Sequence, residues 1–142
     1  MKKYLFIGLG GFIGATLRYL SGMMAFPALA DRVSPILAGF PVNTLLINLS
    51  GCFVLALFLN IALELWELSP ELRLGIATGF LGALTTFSTL CGEIASLVSA
   101  RLFLTAFAYL MASIVLGAVL IYLANVLGRE VIRLKIKAGE GV

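Results

Sequence analysis

The chain has 142 residues, of which 61% are hydrophobic and 12% are charged, and its mean hydropathy is +1.11. A soluble domain is closer to half apolar and a quarter charged, so this composition excludes one and indicates an integral membrane protein. The net charge of +3 comes mainly from basic residues near the two ends of the chain. That distribution is typical of anchoring in a lipid bilayer and does not favour nucleic acid as a partner.

Four apolar stretches are long enough to cross a bilayer, which takes roughly 20 residues each. We place them at Tyr4–Met24, Val42–Leu65, Leu72–Val98 and Leu102–Leu127. Because they use most of the chain, we predict an all-α integral membrane protein with a single four-helix transmembrane domain over residues 1–142. The first stretch begins like a signal peptide, but it is too long and carries Arg18, so we expect it to be retained.

Small residues recur on one face of the first predicted span. Gly10 and Gly14 form a GxxxG pair, the spacing that lets helix backbones approach closely in lipid. Arg18 follows Gly14 by one turn, so the same face carries a cation. Two interpretations of Arg18 stay open: its side chain reaches the headgroups from near the helix end, or it attracts an anion at a vestibule.

The second predicted span contains an amide. Thr44 and Asn48 are four residues apart and therefore share a helix face. An asparagine carries two N–H donors, which must find partners inside a membrane. Asn48 therefore either clamps a neighbouring helix or offers donors to an anion.

Polar residues interrupt the third predicted span at 85–89, where five consecutive residues supply four hydroxyls and the ring of Phe87. Such groups cost free energy in lipid unless protein, water or an ion satisfies them. Because Gly79 and Gly82 precede the run, we predict that the helix is broken mid-membrane. Unwound carbonyls at that depth would suit a hard cation such as Na⁺.

Hydroxyl groups also follow one face of the fourth predicted span, where Thr105, Tyr109 and Ser113 are spaced by four. Such a stripe alone is weak evidence, but every span here contributes small or hydroxyl residues to one side. Neutral donors with a single embedded cation favour a narrow path for an anion over a proton relay.

Three sequence blocks resemble the Fluc (CrcB) family of fluoride channels. They are GGFIGATLRY at 10–19, NTLLINLSGCF at 43–53 and GFLGALTTFST at 79–89, one block in each of the first three spans. The resemblance implies a four-helix subunit that pairs antiparallel with a copy of itself, in both orientations, in the cell inner (plasma) membrane. It also implies two fluoride pores per dimer and a structural Na⁺ at the dimer interface.

The resemblance also assigns roles to residues of this chain. It implies that backbone carbonyls of Gly82 and Thr85 hold the Na⁺. Family pore positions fall on Arg18, Asn48, Phe87, Ser88, Thr89, Glu93, Tyr109 and Ser113. One departure concerns position 90, where the family usually has a second phenylalanine and this chain has Leu90. A ring edge is electropositive and can face an anion, whereas leucine cannot.

The implied activity is passive, electrically driven fluoride efflux from the cytoplasm, which needs no covalent chemistry and no catalytic residues. One alternative is a small four-helix multidrug exporter of organic cations. Such an exporter needs a carboxylate in its substrate chamber, and Glu93 is the candidate. A second alternative is a helical assembly subunit whose small faces serve only for packing, which leaves the hydroxyl stripes and Asn48 unexplained.

The distribution of basic residues bears on dual topology. Most of them fall on the side of the two termini, which favours one orientation by the positive-inside rule. Without the C-terminal cluster the two sides are nearly balanced and compatible with insertion both ways. The residues on the side of the termini are Lys2, Lys3, Arg73, Arg129, Arg133, Lys135 and Lys137, and those on the opposite side are Arg32 and Arg101.

Overall fold

The computed structural model describes residues 1–23, 39–64 and 68–139, so Arg32 lies outside the described residues. Within these ranges the chain is helical apart from short connections, and no strand occurs. The helices are α1 (Lys2–Met23), α2 (Val42–Glu64), α3 (Pro70–Leu74), α4 (Gly82–Leu84), α5 (Phe87–Ser99) and α6 (Phe103–Gly139), and a π-helical segment, Gly75–Leu81, joins α3 to α4.

Four helical stretches in these ranges are long and apolar enough to cross a membrane. They are Lys2–Met23, Val42–Ala62, Pro70–Ser99 and Phe103–Lys137. This confirms the prediction of a multi-pass helical membrane protein. The third stretch is assembled from α3, the π-helical segment, α4 and α5.

Helix α6 continues to Gly139, beyond Leu127, where the predicted fourth apolar stretch ends. Hydropathy marks where lipid contact ends, whereas helix formation also depends on residue propensity. Arginine, glutamate, leucine and lysine, which dominate the sequence after Gly128, are good helix formers. The 37 residues of α6 span about 55 Å at a rise of 1.5 Å per residue, more than the roughly 30 Å of hydrocarbon.

Glycines bring α1 into backbone contact with the third span, which confirms the predicted packing role of the GxxxG pair. A Cβ added at Gly10 would collide with the Gly75 carbonyl oxygen and lie 2.9 Å from the Phe80 nitrogen. A Cβ added at Gly14 would collide with the Phe80 carbonyl oxygen. Gly79 faces α1 in the same way, so the two helices approach at backbone distance.

Helix α2 packs along α6 through an apolar cluster at one end and an amide pair at the other. Leu45 and Leu49 pack in the cluster with Tyr109. Toward the other end, Asn60 Nδ2 donates to Asn125 Oδ1 at 2.7 Å. Sequence reasoning missed this pair, which joins two helices at matching positions of their span.

We expect Asn125→Leu to weaken the α2–α6 contact only modestly. The substitution removes the acceptor for Asn60, and interhelical hydrogen bonds in membranes contribute on the order of 0.6 kcal/mol. Unfolding of the purified protein by a denaturing detergent measures the loss. Val126→Leu, on an exposed position next along the helix, is the matched control and should leave stability unchanged. A loss equal to that of a core cavity mutant would contradict the small contribution assigned to the pair.

Candidate anion path

The backbone leaves helical geometry between α4 and α5. Thr85 and Thr86 are extended, with φ/ψ of −77°/154° and −147°/116°. The preceding π-helical segment, Gly75–Leu81, is itself a departure from α-helix of the kind found frequently at functional sites. These residues include the Thr85–Thr89 run whose hydroxyls the sequence singled out.

Asn48 of α2 makes two reciprocal hydrogen bonds to one residue of this extended segment. Its Oδ1 accepts from the Thr86 N–H at 2.8 Å, and its Nδ2 donates to the Thr86 carbonyl at 3.0 Å. The side-chain amide thereby satisfies the Thr86 N–H, which has no helical acceptor, and adds a donor to the Thr86 carbonyl, which as the N-cap carbonyl also accepts the first bond of α5. Of the two sequence interpretations, the clamp is what the geometry shows, and only one of the two N–H groups is used for it within the described ranges.

Two carbonyls near the extended segment lose their ordinary helical donors. In a continuous helix the Gly82 carbonyl would accept from Thr86 N–H, but that N–H binds Asn48 instead. The Thr85 carbonyl would accept from Thr89 N–H, but that N–H donates to the Thr86 hydroxyl at 3.2 Å. Because the last helical bond before the break joins Thr85 N–H to the Leu81 carbonyl, the carbonyls of residues 82–85 all lack helical donors, and the two that the family resemblance assigns to a cation are among these four.

Arg18 of α1 lies beside the same segment. Its Nη1 reaches the Thr85 carbonyl at 3.5 Å, a long contact for a hydrogen bond. The side chain is half-buried and points along the packing face of α1 toward Thr85. The guanidinium thus places positive charge next to the extended backbone instead of standing apart from it.

The start of α5 presents polar groups and one ring at the surface of the subunit. The buried Thr86 caps the helix, and its hydroxyl donates to Thr89 Oγ1 at 2.9 Å. Ser88 Oγ lies 3.3 Å from the Thr86 hydroxyl. Ser88 and Thr89 are nevertheless exposed, and Phe87 is 80% exposed. In a chain that spans lipid, exposed hydroxyls at this position require a polar or protein environment.

Leu90, the position where the family usually has a second aromatic ring, lies in the core. It is only 8% exposed and belongs to the same apolar cluster as Leu45, Leu49 and Tyr109. The side chain therefore fills space between helices within the subunit. It does not share the exposed surface of Phe87.

The carboxylate of Glu93 connects three helices near the N-terminal ends of α2 and α6. Glu93 of α5 accepts from Thr44 at 2.6 Å through Oε1 and from Tyr109 at 2.7 Å through Oε2. The Tyr109 side chain is fully buried, and its ring meets Phe40 edge-on with centroids 5.4 Å apart. Thr44, Glu93 and Tyr109 are thus brought together, as a polar cluster with both carboxylate oxygens engaged.

Ser113 lies one turn beyond this cluster, and its hydroxyl donates to the Tyr109 carbonyl at 2.8 Å. That bond stays within α6, which leaves the oxygen lone pairs but not the proton for another partner. A cavity of about 390 Å³ opens beside Glu93. Its walls are Gly39, Pro41, Glu93, Ser96, Leu97 and Ala100.

No group of three or more His, Cys, Asp or Glu side chains comes together within the described ranges in a way that would hold a metal ion.

Comparison with known proteins settles the family. The sequence profile described as "CrcB-like protein, Camphor Resistance (CrcB)" matches residues 5–125. The chain belongs to the CrcB family. It is 43% identical over 127 residues to a protein of Carboxydothermus hydrogenoformans named "Fluoride-specific ion channel FluC 2", covering 89% of this chain and 84% of that protein.

Two further relatives have similar names. A protein of Acidobacterium capsulatum named "Fluoride-specific ion channel FluC" is 38% identical over 130 residues, covering 92% of this chain and 98% of that protein. One of Prosthecochloris aestuarii with the same name is 40% identical over 125 residues, covering 88% and 91%. The CrcB family is a family of ion channels, so this chain is a transport protein and not an enzyme.

Replacing Glu93 by glutamine tests whether the carboxylate organises the cluster. Glutamine keeps the length but replaces one acceptor oxygen by an NH2 group, so either the Thr44 or the Tyr109 hydroxyl loses its acceptor and must turn its oxygen toward the new donor. We expect a loss of about 1–3 kcal/mol in the free energy of unfolding. Measurement by denaturing detergent checks it. Glu130→Gln, at an exposed position, is the control. Equal losses of stability in the two variants would contradict the bridging role of Glu93.

Proposed function

We propose that this protein is a fluoride channel that lets fluoride leave the cytoplasm passively, driven by the electrochemical gradient. The observation that carries the proposal is the Asn48–Thr86 clamp, which holds an extended segment with exposed hydroxyls inside an otherwise apolar span. The names of the relatives supply the ion. A polar, irregular backbone is tolerated at membrane depth only in protein or at a wet cavity, which supports a path for a polar solute.

The proposed path uses neutral donors. Fluoride is small and strongly hydrated, so a selective path must replace its water with hydrogen-bond donors while still letting the ion leave. The second N–H of Asn48 and the hydroxyls of Ser88 and Thr89 are suitable donors. The electropositive edge of the exposed Phe87 ring adds a weaker attraction. Arg18 raises the local anion concentration without forming part of a row of fixed cations.

The polar cluster supplies one end of this path. Tyr109 and Thr44 donate their hydroxyl protons to Glu93, so within the single subunit these two donors are engaged by the carboxylate. The cavity beside Glu93 gives the ion an entrance from that side. Ser113 continues the polar face toward the middle of α6. The alternative of a cation exporter is disfavoured, because both Glu93 oxygens are already engaged within the subunit.

The proposed assembly is an antiparallel dimer with two pores. Phe87, Ser88 and Thr89 are exposed on a single subunit although they lie within a membrane span. Lipid offers them no hydrogen-bond partner, so a second protein surface is the favoured cover. A copy of the same chain in the opposite orientation brings the equivalent residues to the same interface. The extended Thr85–Thr86 segment is then the mid-membrane break.

The residues also fit a structural Na⁺ at that interface. The carbonyls of Gly82 and Thr85 lack their ordinary helical donors, and oxygen ligands suit a hard cation. Bound there, Na⁺ would fasten two subunits together and add fixed positive charge near the path. Arg18 reaches the same Thr85 carbonyl, so on this proposal its long contact loosens when the carbonyl binds a cation.

The experiment that tests the function is fluoride release from liposomes that contain only this protein. An electrode records fluoride after valinomycin opens a K⁺ path, and a chloride-loaded sample is the control. Fast fluoride loss with chloride retained supports a selective channel formed by this chain alone. The cell inner (plasma) membrane is its proposed location. Retention of fluoride by well-folded protein would overturn the proposal. Repeating the assay with Na⁺ replaced by N-methylglucamine tests whether fluoride release depends on Na⁺.

A further inference from the structure

An arginine near the start of the third span has a buried nitrogen with no partner. Arg73 lies in α3, and its Nε is shielded from solvent but makes no hydrogen bond. The side chain as a whole is half-buried, so only Nε carries the free-energy cost of burying a polar atom without a partner. A buried guanidinium nitrogen without a hydrogen-bond partner therefore indicates a ligand that the single chain does not supply.

Among the residues that the structure describes, no carboxylate pairs with Arg73. Glu71 lies two residues away in the same helix, and residues at this spacing do not face each other. The ion pair found in the described part of the chain joins Arg133 to Glu130, in the extension of α6. Within those ranges the charge of Arg73 is left without a carboxylate partner.

Arg73 also forms one wall of a cavity of about 390 Å³ between α2 and the third span. Apart from Arg73 and one threonine, the lining is apolar. The lining residues are Leu55, Leu59, Arg73, Leu74, Ala77 and Thr78. A cation at one end of an apolar groove matches a ligand that carries an anionic group on a hydrocarbon body.

The depth of the groove agrees with such a ligand. Arg73 is in the first turn of the membrane-spanning stretch Pro70–Ser99, about 5 Å along the axis from its start. Because this stretch of 30 residues is longer than the hydrocarbon thickness of a bilayer, we place Arg73 at the level of the lipid headgroups. Ala77 and Thr78 lie one turn deeper, where the glycerol and the first methylenes of a lipid lie.

We propose that Arg73 binds the phosphate of an anionic phospholipid whose upper acyl chain lies against Leu55, Leu59 and Ala77. The planar guanidinium forms forked hydrogen bonds to phosphate, which a lysine cannot reproduce. This inference concerns a lipid site and does not depend on fluoride as the transported ion.

Thermal unfolding in detergent tests the site with two lipids that differ in headgroup charge. Added phosphatidylglycerol is expected to raise the melting temperature of the wild type by several degrees more than phosphatidylcholine does, because a ligand of the folded state stabilises it. Arg73→Gln should lose this difference, and Arg73→Lys should keep only part of it. Arg133→Gln, an exposed arginine on the same side, should retain it in full.

A second variant separates a lipid from a free anion. Ala77→Leu fills the apolar part of the groove and leaves Arg73 in place, so it should also lose the phosphatidylglycerol difference. If inorganic phosphate or sodium fluoride stabilises the wild type as well as the lipid does, Arg73 binds a small anion and the lipid assignment is wrong. An unchanged difference in Arg73→Gln would equally overturn it. Liposome flux, measured separately, reports on the channel alone.

Discussion

Asn48→Leu is expected to reduce fluoride flux by roughly 10- to 100-fold, because it removes an amide donor from the proposed path and releases the extended segment. Hydrogen bonds to charged groups contribute about 1.5–3 kcal/mol, which sets this range. The same change leaves the Thr86 N–H without an acceptor and removes one of the donors to the Thr86 carbonyl. Thr86 is only 8% exposed, so water does not replace the lost partners.

Stability and conduction are separated with Asn48→Asp. Aspartate keeps the acceptor for Thr86 N–H but loses the donor and adds a negative charge that repels an anion. We expect this variant to fold and assemble yet pass little fluoride in the liposome assay. Full flux through Asn48→Leu, or through Asn48→Ser combined with Phe87→Met, would show that these side chains do not form the path.

Gly10→Val is expected to prevent folding or to lower the free energy of unfolding by about 3 kcal/mol or more, at the upper end of the cost of overpacking. The first added carbon collides with the Gly75 carbonyl, which is backbone and has no rotamer to adopt. Helix α1 must therefore move away from the third span. Expression level, gel-filtration profile and detergent unfolding measure the effect.

Gly8→Val is the matched control, since Gly8 is two residues away in the same helix and has nothing within 4 Å of an added Cβ. Both changes carry the same cost in helix propensity. The difference between them therefore isolates the interhelical contact. If both variants were equally stable, the backbone approach of α1 to the third span would be contradicted.

Hydropathy and the physics of lipid predicted most of the coarse features of the structure. Apolar runs located the starts of the four spans to within two residues and the end of the third to within one, whereas the predicted ends Met24 and Leu65 lie outside the described residues. At the C-terminal end of α6 the prediction was short. Glycine spacing predicted the contact of Gly10 and Gly14. Hydroxyls in an apolar run drew attention to residues 85–89, because lipid cannot satisfy them.

The partners of the polar groups could not be predicted from the sequence, because they depend on how helices are placed beside one another. Asn48 was compatible with a clamp or an anion donor, and only the position of Thr86 relative to α2 distinguishes them. Glu93 gave no sign in the sequence that it would meet Thr44 and Tyr109. Asn60 and Asn125 were missed although each is an amide inside an apolar span, which was the available signal.

The length of α6 has a consequence for how the protein is made. Its last turns, beyond the apolar part that ends near Leu127, carry Arg129, Arg133, Lys135 and Lys137. If copies insert in both orientations, half of all newly synthesised chains must move this basic end of α6 across the bilayer. Translocation disfavours such charges. The supply of oppositely oriented chains, decided during synthesis, would then limit how many complete pores a cell assembles.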